Sequence, residues 1–146
     1  MKRFTRLICM ILVCGLLLAV PAQAVEVADS RASAFFAAYA TDLYRASATS
    51  FHICFDVTAN GGAKDVLGVS EILLYRSADQ QSWSQIKMYS KDAYAGMVDY
   101  NTGSHTGYVT YNFASSGYYY RAYITFYAKN GTGIGERYVY TEILRM

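Results

Sequence analysis

The groups this chain offers to catalysis or metal binding are few and scattered. His52 and His105 have no Cys or His at ligand spacing, and a zinc site needs several such donors converging. Asp99-Tyr100-Asn101-Thr102-Gly103 begins like a calcium loop, with oxygen donors at alternating positions. It then offers Gly103 at the fifth position and Thr110 at the twelfth, where a bidentate Glu is needed. A polar loop is the expectation there. Ser104-His105 with a distant Asp would make a hydrolase only on paper, because nothing resembles a nucleophile elbow. Gly131, Gly133 and Gly135 are followed by a strand pattern rather than a helix, so they do not read as a phosphate cradle. The expectation is a protein with no catalytic residues, no metal site and no cofactor, and not an enzyme.

A different kind of chemistry is legible at residues 118–128. Period-two alternation there turns Tyr118, Tyr120, Ala122, Ile124 and Phe126 inward, and Tyr119, Arg121, Tyr123, Thr125 and Tyr127 outward. Tyr and Arg are enriched at recognition surfaces because each presents a large contact area with a polar tip. The plainer reading is that cross-strand Tyr pairs stabilise an exposed sheet, at ~0.2 to 1 kcal/mol each.

Such a face needs a sheet to carry it. Residues 1–24 are set aside first: Lys2, Arg3 and Arg6 precede an apolar run from 7 to 20 and the small-residue stretch Ala22-Gln23-Ala24. This is the layout of a cleavable signal peptide, and the run is too short to span a bilayer as a helix, so a secreted, extracellular protein without a permanent membrane anchor is expected. Residues 25–146 then form one domain. Three of the 13 Lys+Arg and none of the 11 Asp+Glu fall in the first 24 residues, so the remainder carries ten cations against eleven anions. No basic run follows, which argues against a nucleic-acid partner. Cys9 and Cys14 leave with the signal, and Cys54 stays alone in an apolar strand, where burial is expected.

The rest of the chain holds all 15 tyrosines and no proline. Seven strand-length segments stand out: 34–45, 50–58, 69–76, 83–90, 108–113, 118–128 and 136–144. The first places Phe35, Ala37, Tyr39, Thr41 and Leu43 on one face, with helix as an alternative because of its alanines. The second alternates Phe51, Ile53, Phe55 and Val57 against His52, Cys54, Asp56 and Thr58. Residues 65–68 suggest one helical turn, 91–107 a polar connection, and 129–135 a glycine-rich hairpin loop. Ser77-Ala78-Asp79-Gln80-Gln81-Ser82-Trp83 resembles the Asp-box hairpin of sialidase-like propellers, short of its usual Gly. It is expected to be an ordinary turn, with Asp79 bonding turn amides and Trp83 packed beside it.

Gly117-Tyr118-Tyr119-Tyr120-Arg121-Ala122 resembles the entry to strand F of a fibronectin type III or immunoglobulin-like domain. That resemblance implies an all-β, seven-stranded antiparallel sandwich with Tyr120 as the tyrosine corner, its hydroxyl returning to backbone upstream. It also implies that strands C, F and G share a sheet, so that Tyr75, Tyr138 and Tyr140 join Tyr119, Arg121, Tyr123 and Tyr127. The whole chain further resembles a family of short secreted proteins from Gram-positive gut anaerobes that has no assigned activity. Its cues are Ala28-Asp29-Ser30-Arg31-Ala32-Ser33, Asp65-Val66-Leu67-Gly68, the 77–83 hairpin and the strand from Tyr120-Arg121-Ala122 to Thr125-Phe126-Tyr127. The leading functional expectation is a non-catalytic module binding a protein or glycan through the Tyr/Arg face. The alternatives are a self-associating envelope or matrix protein and, behind it, a small hydrolase.

Overall fold

Alternation in Phe51–Ala59 is as regular as a strand can show: Phe51, Ile53, Phe55, Val57 and Ala59 are buried, and the residues between them are not. The structure, a computed structural model, describes residues 34–146. The expected signal peptide at 1–24 and the 28–33 stretch lie outside the described residues.

Nine strands follow one another: β1 (Phe36–Arg45), β2 (Phe51–Ala59), β3 (Lys64–Ser77), β4 (Ser84–Ser90), β5 (Val98–Thr102), β6 (Ser104–Tyr111), β7 (Tyr119–Asn130), β8 (Gly133–Tyr140) and β9 (Leu144–Arg145). All pairings are antiparallel. One sheet has the order β1-β2-β6 and the other β4-β3-β7-β8, with β5 also on β3 and β9 on β7. The inner stripe of β7, Tyr120, Ala122, Ile124, Phe126 and Ala128, is fully buried against that of β2, and the Phe51 and Tyr120 rings meet at 5.1 Å. The result is a β-sandwich. Each large side chain in it contributes roughly 1.5 to 3 kcal/mol of transfer free energy.

Several sequence expectations are corrected, each for a local reason. Nine strands replace seven because the supposed polar connection at 91–107 contains β5, with β6 starting inside it at Ser104, and because the expected last strand splits into β8 and β9. Residues 65–68 are not a helical turn: with β5 as partner on one side and β7 on the other, they extend β3 to 14 residues. Gly68 allows this at φ 151°, since a Cβ there would stand 2.3 Å from the Met97 carbonyl oxygen.

The alanine-rich first segment is a strand, yet its predicted face shifts. A bulge between Phe36 and Ala38 turns Phe36 into the core in place of Ala37, and Phe35 packs over Gly133 and Gly135, where a Cβ would collide with its ring. Phe113, which alternation puts on the same side as Val109 and Tyr111, is 79% exposed, because β6 ends at Tyr111 and Ala114 takes the buried place.

The expected last strand, 136–144, breaks after Tyr140. Thr141 is buried, its hydroxyl accepts the Ala122 N–H at 2.9 Å and its own N–H reaches the Ala122 carbonyl at 2.9 Å, so a side chain substitutes for one ladder bond. The glycine-rich loop is only Gly131-Thr132, because Asn130 already pairs with Gly133. Gly131 alone takes the positive φ, 58°, that a type II′ turn places at its first central residue.

Candidate functional site

Antiparallel register lays the outward residues of the larger sheet in rows. Gln85, Tyr75 and Arg121 form one; Met88, Leu73, Tyr123 and Tyr140 the next; Ser90, Glu71, Thr125 and Tyr138 a third. Tyr119 beside Arg145 and Tyr127 beside Glu136 flank these rows at either end. The structure thus brings six of the seven expected binding residues, Tyr75, Tyr119, Arg121, Tyr123, Tyr138 and Tyr140, onto one continuous patch. Tyr127 stands at its margin with the Lys91 ammonium 6.0 Å from its ring.

At the centre, the Arg121 guanidinium lies between two rings, 4.2 Å from the Trp83 centroid and 4.7 Å from that of Tyr140. Tyr123 continues the stack, 4.7 Å from Tyr140 and parallel to Tyr138 at 6.0 Å. Cation–ring contacts of this sort contribute ~0.5 to 2 kcal/mol depending on desolvation. Arg121 Nε is buried without a hydrogen-bond partner, and no described carboxylate pairs with the guanidinium. Tyr138 donates its hydroxyl to Glu136 at 2.6 Å, a bond that raises the phenol's pKa.

Thr125, expected outward, is buried at 7% exposure. Its side chain is small, and the tall rings of Tyr123, Tyr127 and Tyr138 stand around it on the same face.

Trp83 occupies a place that sequence reasoning missed. The 77–83 turn forms around Asp79, whose carboxylate accepts the N–H groups of Gln81 (2.9 Å) and Ser82 (2.8 Å) and the Ser77 hydroxyl (2.9 Å). Those donors hold its pKa down to about 2. The Trp83 indole N–H donates to the Gln80 carbonyl at 3.0 Å, and its ring lies over Arg121 rather than only against the turn. The available signal was the single Trp at a strand entry facing an Arg-bearing strand. It was hidden by a register shift at Leu74 and Tyr75. Leu73 and Met88 were also missed as patch members, although alternation alone puts them there.

Tyr120 is fully buried and its hydroxyl accepts the Ser115 N–H at 2.8 Å, with Gly117 at φ 83° in the turn between them. The other candidate groups are tied down locally. His105 lies on the Phe55 ring with Nε2 2.9 Å from the Gly96 carbonyl, and His52 Nδ1 is 2.9 Å from Thr110 Oγ1. Asp99 belongs to β5 and accepts the Tyr100 N–H, so the expected polar loop there is a strand. Among the described residues no three His, Cys, Asp or Glu are grouped to hold a metal ion. Cys54, expected buried, is only half-buried, in an open groove of about 210 Å³ with Asp42, Asp56 and Thr106.

No family model matches the chain, and no curated protein is similar to it in sequence. Among solved structures, the sporulation control protein Spo0M from Bacillus subtilis is similar with a TM-score of 0.41 and 9% identity, over 71% of this chain and 48% of that one. The chain spans about half the length of the protein it matches.

Proposed function

We propose that this chain is a secreted, non-catalytic recognition module of the immunoglobulin or fibronectin type III kind, binding a protein or glycan through the outer Tyr/Arg face of its larger sheet. The partition of strands supports the family reading: β1-β2-β6 against β4-β3-β7-β8 corresponds to A, B, E against C′, C, F, G, and the Tyr120 bond to Ser115 has the form of a tyrosine corner. The signal-like residues before 25 support export, and the family resemblance favours a bacterial route. One observation carries the binding reading. Arg121 is held between Trp83 and Tyr140, in the middle of a ring-covered surface, with no acceptor of its own. Immobilised aromatics around an unpaired guanidinium are what recognition surfaces use to gain contact at low entropic cost.

The test is a glycan and host-protein array probed with the secreted chain and with a triple variant, Tyr123→Ser, Tyr138→Ser and Tyr140→Ser. Capture by the parent and its loss in the variant, with the variant still folded at the assay temperature, is the expected result. Equal capture by both removes this face from consideration.

A further inference from the structure

We infer that the face reads a carboxylate-bearing sugar chain, a uronate polysaccharide, with Arg121 as the carboxylate receptor and Trp83 as a ring that shifts on binding; this rests on the recognition reading above. The argument begins with charge. At one end of the outer face two guanidiniums lie on rings: Arg145 over Tyr119 at 5.5 Å, and Arg121 against Trp83 and Tyr140. Register puts both on this face, since Arg121 pairs with Tyr75 and Arg145 with Tyr119, whereas Arg76 pairs with the buried Tyr120 and lies on the inner side. No described carboxylate pairs with either of them. Asp79, in the turn leading to Trp83, is already occupied by two backbone N–H groups and a hydroxyl. At the opposite end Lys91 is engaged with Asp92 and Glu136 with the Tyr138 hydroxyl. The Trp83 end of the face therefore presents two guanidiniums with no carboxylate partner.

Geometry narrows the ligand. A guanidinium packed against two rings, at 4.2 and 4.7 Å, has chiefly its in-plane N–H groups to offer, and the acceptor that matches that fork is a planar carboxylate. Arg121 Nε is a buried donor that folding leaves unsatisfied, a state that disfavours the free protein. A carboxylate oxygen on the Nε edge supplies the missing partner once the indole slides aside, and Trp83, in an exposed turn with one hydrogen bond to Gln80, is placed to do so.

The surroundings favour a sugar over a peptide. Tyr138 and Tyr140 are each about half exposed, Tyr140 against the guanidinium and Tyr138 one row further along the sheet. Extended peptides are taken by sheet edges or side-chain pockets, whereas a flat ring platform suits the C–H faces of a pyranose. One uronate on Arg121 with its neighbour over Tyr140 and Tyr138 uses every feature.

Trp83 is the single tryptophan of the chain, so its fluorescence reports this site alone. Oligogalacturonate is titrated into the protein, with calorimetry in parallel, and compared with the methyl-esterified oligomer, a sulfated heparin oligosaccharide and polyglutamate. The expected result is saturable binding of oligogalacturonate that changes Trp83 emission. Esterification and Arg121→Gln should each weaken it by about tenfold or more, the loss of one bidentate charge-assisted contact. Arg121→Lys should fail to restore it, because an ammonium cannot form the fork. Equal binding of the ester, or undiminished binding by a folded Arg121→Gln protein, overturns the carboxylate assignment while leaving the Tyr face as a binding surface. Tighter heparin binding assigns the site to sulfate instead, and equal polyglutamate binding removes the sugar. No response to oligogalacturonate in either readout ends the inference, and the array with the Tyr triple variant then decides the broader reading separately.

Discussion

On the outer face of the smaller sheet, polar side chains close on one another. His52 bonds Thr110, and the Thr106 hydroxyl donates to Asp56. The Cys54 thiol is shielded in its groove, its pKa raised by burial and then by Asp42. Tyr108, 63% exposed, rests on the His52 ring at 4.7 Å. On the outer face of the larger sheet, rings meet rings and cations, and the most central donor has no acceptor at all. Both faces carry tyrosines. What separates them is whether the polar groups have been matched within the fold. A matched surface has little left to exchange with a partner, whereas an unmatched guanidinium gains hydrogen bonds only when one arrives.

The most disruptive way to break this contrast is through the strand that supports the larger face. Gly68→Ala places a Cβ 2.3 Å from the Met97 carbonyl oxygen and 2.7 Å from the Val98 Cα, at a φ that side chains rarely adopt. We expect a loss of roughly 3 kcal/mol or more, seen as a lower urea midpoint with both faces unfolding together. An unaltered midpoint would mean that β5 can move away freely.

A smaller effect sharpens the comparison directly. Tyr123→Ala removes contacts with two rings and should cost about 1 kcal/mol, whereas Tyr108→Ala on the opposite face should cost less than about half of that. Equal losses in matched chemical denaturation would erase the energetic distinction between the faces.

The smallest effect concerns the turn that presents Trp83. Asp79 titrates at about 2 in the fold, below its ordinary 3.8, so its contribution is present above the ordinary value and is lost as pH falls through the folded one. The difference in thermal midpoint between the parent and Asp79→Asn should therefore be largest near about pH 6 and close on acidification toward about pH 2. A constant difference would show that the carboxylate's charge does not hold the turn.

These residues also show what the sequence could reveal. The stripes of β2 and β7 were legible because one uninterrupted period of two runs through each, and the outward set of β7 followed from the inward one. What failed were the places where the period is broken. A bulge reversed the start of β1, a glycine concealed that 65–68 continue β3, and register shifts around Ser70 and Leu74 separated Trp83 from Arg121 on paper. β5 was missed because its burial pattern is that of an edge, mostly exposed, with no hydrophobic alternation to read. Pairing partners distant in sequence decide such segments, and a local pattern does not contain them.

β3 has a neighbour on each flank along nearly its whole length: β7 on one side, and on the other β5 at Lys64–Gly68 followed by β4 at Glu71–Arg76. Its amide protons consequently have no frayed edge from which to trade with deuterium. They are expected to exchange only when the entire domain opens, which makes this strand an internal gauge of global opening.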